Sequence, residues 1–195
     1  MKTFSITFGL ALVLTGLLQT AALAWMVLDR VQLLRTGTEI VLDTRPVDPR
    51  SLFRGHYVIL NYEISTLDLQ NLPGSKTFRS GDHVDVLIER QDTGTWDPAS
   101  VHSAGSVVSP PDGQVLLRGR VRHCHRSDHS DSECAKITVR YGAEKYFVYK
   151  DRALELERVR DKRRLRIILA VSEDGEAAVK GIEDGGRRIY NEPLF

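Results

Sequence analysis

Two patterns of hydrophobic and polar positions divide this chain. From Phe4 to Leu28 no side chain is charged. As a helix rising about 1.5 Å per residue this run reaches roughly 37 Å, enough to cross a hydrocarbon core of about 30 Å. After it, apolar and polar residues alternate in short segments separated by turn residues, which is typical of half-buried strands. The pattern predicts an N-terminal anchor with a juxtamembrane helix, residues 1–36, and one domain, residues 37–195.

The alternating segments predict a mainly antiparallel β domain, resembling a sandwich or barrel, with one short soluble helix. Gly37 should end the N-terminal helix, and Asp174-Gly175 is a favoured hairpin turn. We expect a loop with one helical turn at residues 67–77 and the soluble helix at residues 151–160. The predicted strands are 39–44, 58–64, 82–90, 114–123, 136–141, 144–149, 165–171 and 177–182, with one or two weaker strands in 96–108.

The segment before the second predicted strand has a composition unlike the rest of the chain. Pro46 and Pro49 fix φ and exclude helix, and Gly55 gives conformational freedom where loop becomes strand. From Val58 to Ile64 the residues alternate, with Val58, Leu60, Tyr62 and Ile64 on one face. The sequence therefore predicts a rigid, charged turn directly before a half-buried strand.

The letters of this strand carry a family resemblance. Gly55-His56-Tyr57-Val58-Ile59-Leu60-Asn61-Tyr62 resembles the signature of the bacterial GDYXXLXY family, with Gly55, Tyr57, Leu60 and Tyr62 at the motif positions. The family's aspartate is His56 here, so an essential carboxylate at that position is in doubt. The resemblance implies a small membrane-anchored protein, and it supplies no reaction. Members of the family often accompany multi-span membrane proteins.

The N-terminal segment has two interpretations. Lys2, the apolar run and Ala22-Leu23-Ala24 imitate a cleavable signal peptide, whereas continuation of the run through Trp25 favours a retained anchor at residues 4–28 in the lipid bilayer. Arg30 and Arg35 follow the segment while only Lys2 and the α-amine precede it, so the positive-inside rule does not favour an outward-facing domain. The resemblance and the cysteines favour a single-pass protein of the bacterial cytoplasmic membrane with an extracytoplasmic, periplasmic domain.

Small and polar residues form a stripe within the anchor. Gly9, Gly16, Gln19 and Thr20 fall near one helical face, and such stripes often pack against another membrane helix. The alternative is that isolated glycine and threonine are common in any membrane span. If the stripe packs, its partner is expected to be a multi-span membrane protein.

Cys124 and Cys134 are the two cysteines, and they flank a polar segment, residues 125–133, predicted as a loop. In an oxidising compartment they would form a disulfide. A metal site is the second possibility, and two unpaired thiols are the third. The metal ligands would come from His123, Cys124, His125, His129 and Cys134. Their spacing matches no known zinc finger, and we expect no metal.

Ionisable groups gather around the proline-containing turn. A partner or ligand surface there would comprise Asp48, Arg50, Arg54, His56, Tyr57 and Tyr62. The structural alternative is an Asp–Arg pair that fastens the turn, with the rings of Tyr57 and Tyr62 buried and their hydroxyls hydrogen-bonded. Both readings can hold together.

No catalytic motif supports an enzyme. Pro49, Leu52 and Gly55 faintly resemble the first box of type I signal peptidases, as Ser80-Gly81-Asp82 does a later one, but the Ser-Met pair and the lysine base are missing. The formal charge of +1 without a basic stripe argues against nucleic acid. We expect no cofactor and a non-catalytic accessory or binding subunit of a larger membrane assembly. The alternative is an extracytoplasmic ligand-binding or hydrolytic domain.

Overall fold

The computed structural model describes residues 2–45, 57–107, 109–127, 130–147 and 165–192. One long helix is followed by short strands. The elements are α1 (Lys2–Thr36), β1 (Thr38–Asp43), β2 (Tyr57–Ile59), a 3₁₀ turn (Glu63–Ser65), β3 (Thr66–Asp68), β4 (His83–Arg90), β5 (Trp96–Ser103), β6 (Gln114–Ser127), β7 (Ser130–Arg140), β8 (Lys145–Phe147), β9 (Leu165–Val171), β10 (Ala177–Asp184) and β11 (Arg187–Asn191).

Two antiparallel sheets enclose the core. The four-stranded sheet has the order β1-β9-β10-β11, and the five-stranded sheet has the order β3-β7-β6-β4-β5. A third, two-stranded sheet pairs β2 with β8. Ile40, Ile167 and Leu169 of the first sheet and Val86 and Leu117 of the second belong to one buried cluster. The predicted mainly antiparallel β architecture is confirmed.

The turn between β9 and β10 closes one end of this sandwich. Its Gly175 carbonyl accepts a hydrogen bond of 2.8 Å from the Arg118 backbone N–H on β6. Gly175 has φ +84°, and a Cβ there would lie 2.9 Å from the Arg118 nitrogen. Because an L side chain rarely adopts this φ and has no room here, the turn requires glycine.

Helix α1 is joined directly to the domain. It ends at Thr36, and the Gly37 N–H donates 2.9 Å to the Leu33 carbonyl, as the predicted stop requires. Leu33 and Leu34 pack with Ala170 and Ala178 on the outer face of the four-stranded sheet. The last helical turn is therefore part of the domain's packing and not a free linker.

The rest of α1 has no cover from this chain. Its large apolar side chains from Phe8 to Leu28 are 57–75% exposed. The helix is long and apolar enough to cross a membrane, as the sequence predicts, and the charge-free run lies wholly within it.

The motif strand is shorter than predicted, yet its alternation is correct. Regular pairing stops at Ile59, after which Tyr62 forms a bridge with Thr44 and residues 63–65 turn into 3₁₀ helix. Leu60, Tyr62 and Ile64 are buried while Asn61 and Glu63 are exposed. The segment leaves β8 and crosses to β1, and its extended backbone keeps the two-residue period without one continuous ladder.

Two other predictions need correction. The polar segment after Cys124 is not a loop but part of the β6–β7 hairpin. The two strands pair as far as Ser127 and Ser130, through several bulges. The predicted loop at residues 67–77 is correct from residue 69 onward, but Leu67 and Asp68 belong to β3, which pairs with β7. Residues 96–103 form one strand. The predicted helix at residues 151–160 lies outside the described residues.

Candidate functional site

Two buried tyrosines join the motif segment to the turn after β7. The Tyr62 hydroxyl donates 2.5 Å to the Ala143 carbonyl, and the Tyr141 hydroxyl donates 2.8 Å to the Ile64 carbonyl. Each hydroxyl thus donates to a backbone carbonyl of the segment that carries the other tyrosine. We call this arrangement of Tyr62, Tyr141, Ala143 and Glu144 the tyrosine junction.

Glu144 orders the same turn through its carboxylate. The backbone N–H groups of Tyr141 and Gly142 donate 2.5 and 3.1 Å to its two oxygens, and its own carbonyl accepts from the Leu60 N–H. Burial first, and the nearby Glu144 charge second, raise the pKa of Tyr62 and of Tyr141 well above the ordinary value. Both phenols are therefore neutral hydrogen-bond donors at any physiological pH.

The predicted turn surface lies largely outside the described residues. This holds for Asp48, Arg50, Arg54, Gly55 and His56, while Tyr57 is described by its backbone, which pairs with Phe147. Tyr62 lies in the core with its hydroxyl satisfied, as the structural alternative expects, so it contributes nothing to an exposed surface. Leu60 is buried in the same cluster.

The residues next to the proline-containing turn show at which end of the sheet the turn begins. Arg45 N–H donates 2.8 Å to the Asn61 carbonyl, and Thr44 Oγ1 donates 2.7 Å to the Leu165 carbonyl. Thr38 pairs with Val171 beside the end of α1, whereas Asp43 pairs with Arg166 at the other end of β1. The described ends of the turn therefore lie about 17 Å along the sheet from the helix junction.

Cys124 and Cys134 form a disulfide, with Cα atoms 5.5 Å apart. Cys134 is buried and Cys124 is packed against the core. The disulfide takes both sulfurs, and His129 of the alternative metal set lies outside the described residues. In the part of the chain that the structure describes, no group of three or more histidine, cysteine or acidic side chains could hold a metal ion.

One described pair has the form of a nucleophile and its base. Ser100 Oγ lies 2.8 Å from His102 Nε2 on β5. Asp85, which is paired with His102 in the sheet register, directs its two oxygens to Arg118 Nε at 2.9 Å and to the Gly105 N–H at 2.8 Å. The carboxylate that would orient a catalytic histidine is therefore committed elsewhere, and the pair does not make a triad.

A cleft lined by arginines opens where β6 and β7 diverge beside the start of β10. We call it the arginine cleft. Its volume is about 330 Å³, and it is lined by His83, Arg118, Gly119, Arg120, Arg140, Tyr141, Gly142, Glu176 and Ala177. The register places Arg120 opposite both His83 on β4 and Arg140 on β7. Directly opposed residues of antiparallel strands share a face, so these three side chains form one row.

Sequence reasoning missed this cleft. Arg118 and Arg120 are two residues apart on β6, a spacing that puts both on one face of a strand. Arg140 is twenty residues later than Arg120, and nothing local in the sequence indicates that they pair.

An acidic cleft of about 560 Å³ lies between α1 and the β9–β10 turn. Asp29, Glu173, Asp174 and Glu176 are among its lining residues, and Arg30 Nη1 donates 3.5 Å to the Ala177 carbonyl nearby. Glu176 also lines the arginine cleft. The two clefts are therefore neighbours beside the end of the membrane-length helix.

The predicted packing stripe of α1 is open. A Cβ at Gly9 or Gly16 would meet no atom within 4 Å, and Gln19 is exposed. The Thr20 hydroxyl bonds the Gly16 carbonyl at 2.9 Å, so its polar group is satisfied within the helix. No contact from this chain covers the described part of the stripe.

Comparison with known protein families decides the classification. The GDYXXLXY protein family matches residues 19–182, most of the chain. The chain belongs to the GDYXXLXY family. No curated protein and no solved structure matches it.

The structure gives two letters of the GDYXXLXY motif a physical role. The motif leucine, Leu60, is buried in the core, and the motif tyrosine Tyr62 makes half of the tyrosine junction. These two motif positions hold the segment between the two sheets. In this chain these two motif residues serve packing and hydrogen bonding in the core, and the family name assigns no chemistry.

Proposed function

We propose that this protein is a non-catalytic, membrane-anchored, extracytoplasmic domain that acts as an accessory or binding subunit of a larger membrane assembly. The observation that carries the proposal is the direct packing of α1 on the domain. Leu33 and Leu34 rest on Ala170 and Ala178, and the helix continues without interruption into the membrane-length segment. Such a joint holds the domain in one orientation at the membrane surface.

A fixed orientation suits a subunit that presents a surface to a neighbour. A domain that acts on freely diffusing substrates gains little from a rigid anchor. A subunit that contacts its partner both inside and outside the membrane must make the two contacts at the same time, and a rigid anchor allows this. Preorganisation of this kind lowers the entropy lost on association. The Ser100–His102 pair adds no support for catalysis, because Asp85, the carboxylate opposite His102, is bonded to Arg118 and Gly105.

Within the membrane, the proposed contact is the stripe of Gly9, Gly16 and Gln19. Small residues allow close approach of a second helix, and a polar side chain in lipid is stabilised by a hydrogen bond across the interface. The proposed partner is a multi-span membrane protein. A second contact is proposed for Asp48, Arg50, Arg54 and His56, whose turn has its base at the sheet end remote from the helix junction.

The extracytoplasmic side is supported by the disulfide. Cys124 and Cys134 lie within bonding geometry across a long hairpin, and such bonds persist in oxidising compartments and are rare in the cytosol. We propose the cytoplasmic membrane of a bacterium, with a single pass and the domain in the periplasm.

The test is co-purification of the tagged, full-length protein from native membranes in mild detergent, with identification of what accompanies it. A second preparation carries Gly9→Leu and Gly16→Leu, which fill the stripe without changing length or charge. We expect a stoichiometric multi-span partner with the natural protein and its loss with the double variant.

The matched control is Ala11→Leu with Leu17→Ala, which alters the same helix off the stripe. It should retain the partner. Asp48→Ala and Arg50→Ala test the second contact, and partner loss with an unchanged melting temperature is expected. Recovery of the natural protein alone, or equal loss in the control, would contradict the accessory role.

A further inference from the structure

Two arginines of the arginine cleft, Arg120 and Arg140, carry positive charge that no salt bridge in the described residues neutralises. Arg120 Nε donates 2.9 Å to the Gly81 carbonyl, which is a neutral acceptor. Arg140 directly opposes Arg120. In the described residues neither guanidinium has a carboxylate partner, whereas Arg118 is paired with Asp85. Like charges directly opposed across neighbouring strands are destabilising, so the arrangement has a cost that packing does not explain.

The cleft has room for a ligand group. Its volume of about 330 Å³ falls near the small end of the range for ligand pockets, roughly 300–1,000 Å³. Gly142 contributes no side chain, and a Cβ there would meet no atom within 4 Å. Glu176 is the single acidic residue among the nine that line the cleft, so the balance of charge favours an anion.

The position of the cleft narrows the source of that anion. Ala177 lines the cleft, and its carbonyl accepts a hydrogen bond from Arg30. Arg30 lies two residues after Leu28, the last residue of the charge-free run. The headgroup layer extends roughly 5–7 Å beyond the hydrocarbon on each side, so a helix spanning with Phe4–Leu28 places the cleft beside lipid phosphates.

We propose that the arginine cleft binds a phosphate group, bridged by Arg120 and Arg140 and carried by a phospholipid headgroup. Guanidinium groups match phosphate oxygens through paired hydrogen bonds, and basic pockets beside a membrane helix bind anionic headgroups. A bound phosphate would relieve the repulsion between the two arginines. The lipid source uses the membrane placement proposed above, but the site needs no partner subunit.

A soluble phosphate ester offers the same chemistry, and the experiment separates the two sources. Full-length protein in detergent is titrated with short-chain phosphatidylglycerol, with diacylglycerol of the same chain length, and with inorganic phosphate. Native mass spectrometry counts retained lipid, and calorimetry follows inorganic phosphate. The variants are Arg140→Gln and the double variant Arg120→Gln/Arg140→Gln.

Arg90→Gln is the matched control, since Arg90 is an exposed arginine at the far end of β4 from His83 and lies outside the cleft. We expect phosphatidylglycerol to be retained and diacylglycerol not. Arg140→Gln should weaken retention roughly tenfold, the double variant more, and Arg90→Gln about twofold or less.

The alternative outcomes are distinct. Binding of inorganic phosphate that Arg140→Gln weakens, without lipid retention, supports the site with a soluble source. Equal loss in Arg90→Gln, or retention unchanged in the double variant, overturns the proposal. If lipid and phosphate both fail to bind while the double variant releases a co-purified protein, the cleft binds an acidic protein segment and the phosphate proposal is wrong. The accessory role is tested separately, by whether the Gly9→Leu/Gly16→Leu variant loses the multi-span membrane partner.

Discussion

Arg140 and Tyr141 are neighbours in the chain and both line the arginine cleft, yet the polar groups of their side chains lie in different surroundings. Tyr141 turns inward, where its hydroxyl donates to the Ile64 carbonyl inside the tyrosine junction. Arg140 turns outward and lines the arginine cleft opposite Arg120. In the junction every named polar group has a partner, as burial demands. In the cleft two charges face each other across the sheet.

Stability and binding are expected to depend on different side chains of this domain. A buried, satisfied network contributes to folding and tolerates little change, because each lost partner leaves an unsatisfied group in the core. The opposed charges of Arg120 and Arg140 repel each other at a cost to folding, although Arg120 also donates a hydrogen bond to the Gly81 carbonyl. We therefore expect substitutions in the junction to lower stability, and substitutions of Arg140 to change binding with stability preserved or raised.

The largest expected effect comes from Tyr62→Ala. This change removes a fully buried aromatic ring and leaves the Ala143 carbonyl without its donor. The expected loss is about 3–5 kcal/mol of unfolding free energy, or failure to fold. Denaturant unfolding of the detergent-solubilised protein measures it, with Asn61→Ala, an exposed neighbour, as the control. A loss of less than about 1 kcal/mol would show that the junction is not structural.

The second prediction concerns alkaline pH. The folded domain raises the pKa of Tyr62 and Tyr141 above the ordinary 10.0, so both remain protonated when the unfolded chain would release its protons. Their contribution to the free energy of unfolding is fully present below pH 10 and is lost as the pH rises above it. With two such groups, the free energy of unfolding declines by about 2.7 kcal/mol per pH unit above pH 10.

The check is stability against pH, with phenolate absorbance followed in parallel. Tyr62→Phe should remove about half of the tyrosine-dependent slope, because one titrating group remains. In the natural protein both junction phenols should ionise together with unfolding. Ionisation of either while the fold persists would contradict the buried hydrogen bonds.

The third prediction uses the disulfide to separate the two regions. Cys124 and Cys134 are ten residues apart, and closing such a loop stabilises by about 2.5–3 kcal/mol in the chain-entropy account. Cys124→Ala/Cys134→Ala should lower the unfolding free energy by that amount. Phosphate or lipid retention should remain, since Arg120 pairs with Arg140 at the opposite end of the hairpin.

Reductant on the natural protein provides the control for this prediction. It should reproduce the loss and expose two thiols to a labelling reagent only after reduction. Labelling of both cysteines without reductant would show that the pair is not bonded in the cell.

The smallest effect on stability has the opposite sign. Arg140→Glu places a carboxylate opposite Arg120 and replaces repulsion with a cross-strand ion pair. Stability should rise by up to about 1 kcal/mol, while binding in the arginine cleft is lost. Thermal unfolding and the lipid titration, made on one preparation, test both. A fall in stability would show that Arg140 has a structural role.

Much of the fold was readable from local patterns. The strands at residues 165–171 and 177–182, the stop at Gly37 and the membrane length of α1 all follow from periodicity and turn residues, and the structure confirms them. The alternation of Leu60, Tyr62 and Ile64 was correct as well, although the strand was not continuous. Cys124 and Cys134 were identified as a pair from their number and surroundings.

The candidate sites were less readable. The polar residues between the cysteines look like a loop, yet pairing of β6 with β7 extends the hairpin through them. The sequence offered Tyr62 both a surface role and a buried, hydrogen-bonded role, and the acceptor of its hydroxyl, the Ala143 carbonyl, is supplied by a distant part of the chain. The arginines of β6 show their common face locally, but their relation to Arg140 depends on strand register.

Spacing within one element of the sequence encodes an apolar length that matches a bilayer, two-residue alternation in strands, and glycine at turns that need positive φ. Which groups meet across elements depends on the folded arrangement of the chain. It joined Tyr62 to Ala143, opposed Arg120 to Arg140, and packed Leu33 and Leu34 on Ala170 and Ala178. The reason is physical, since the register of paired strands and the packing of a helix on a sheet are set by contacts between residues far apart in the chain.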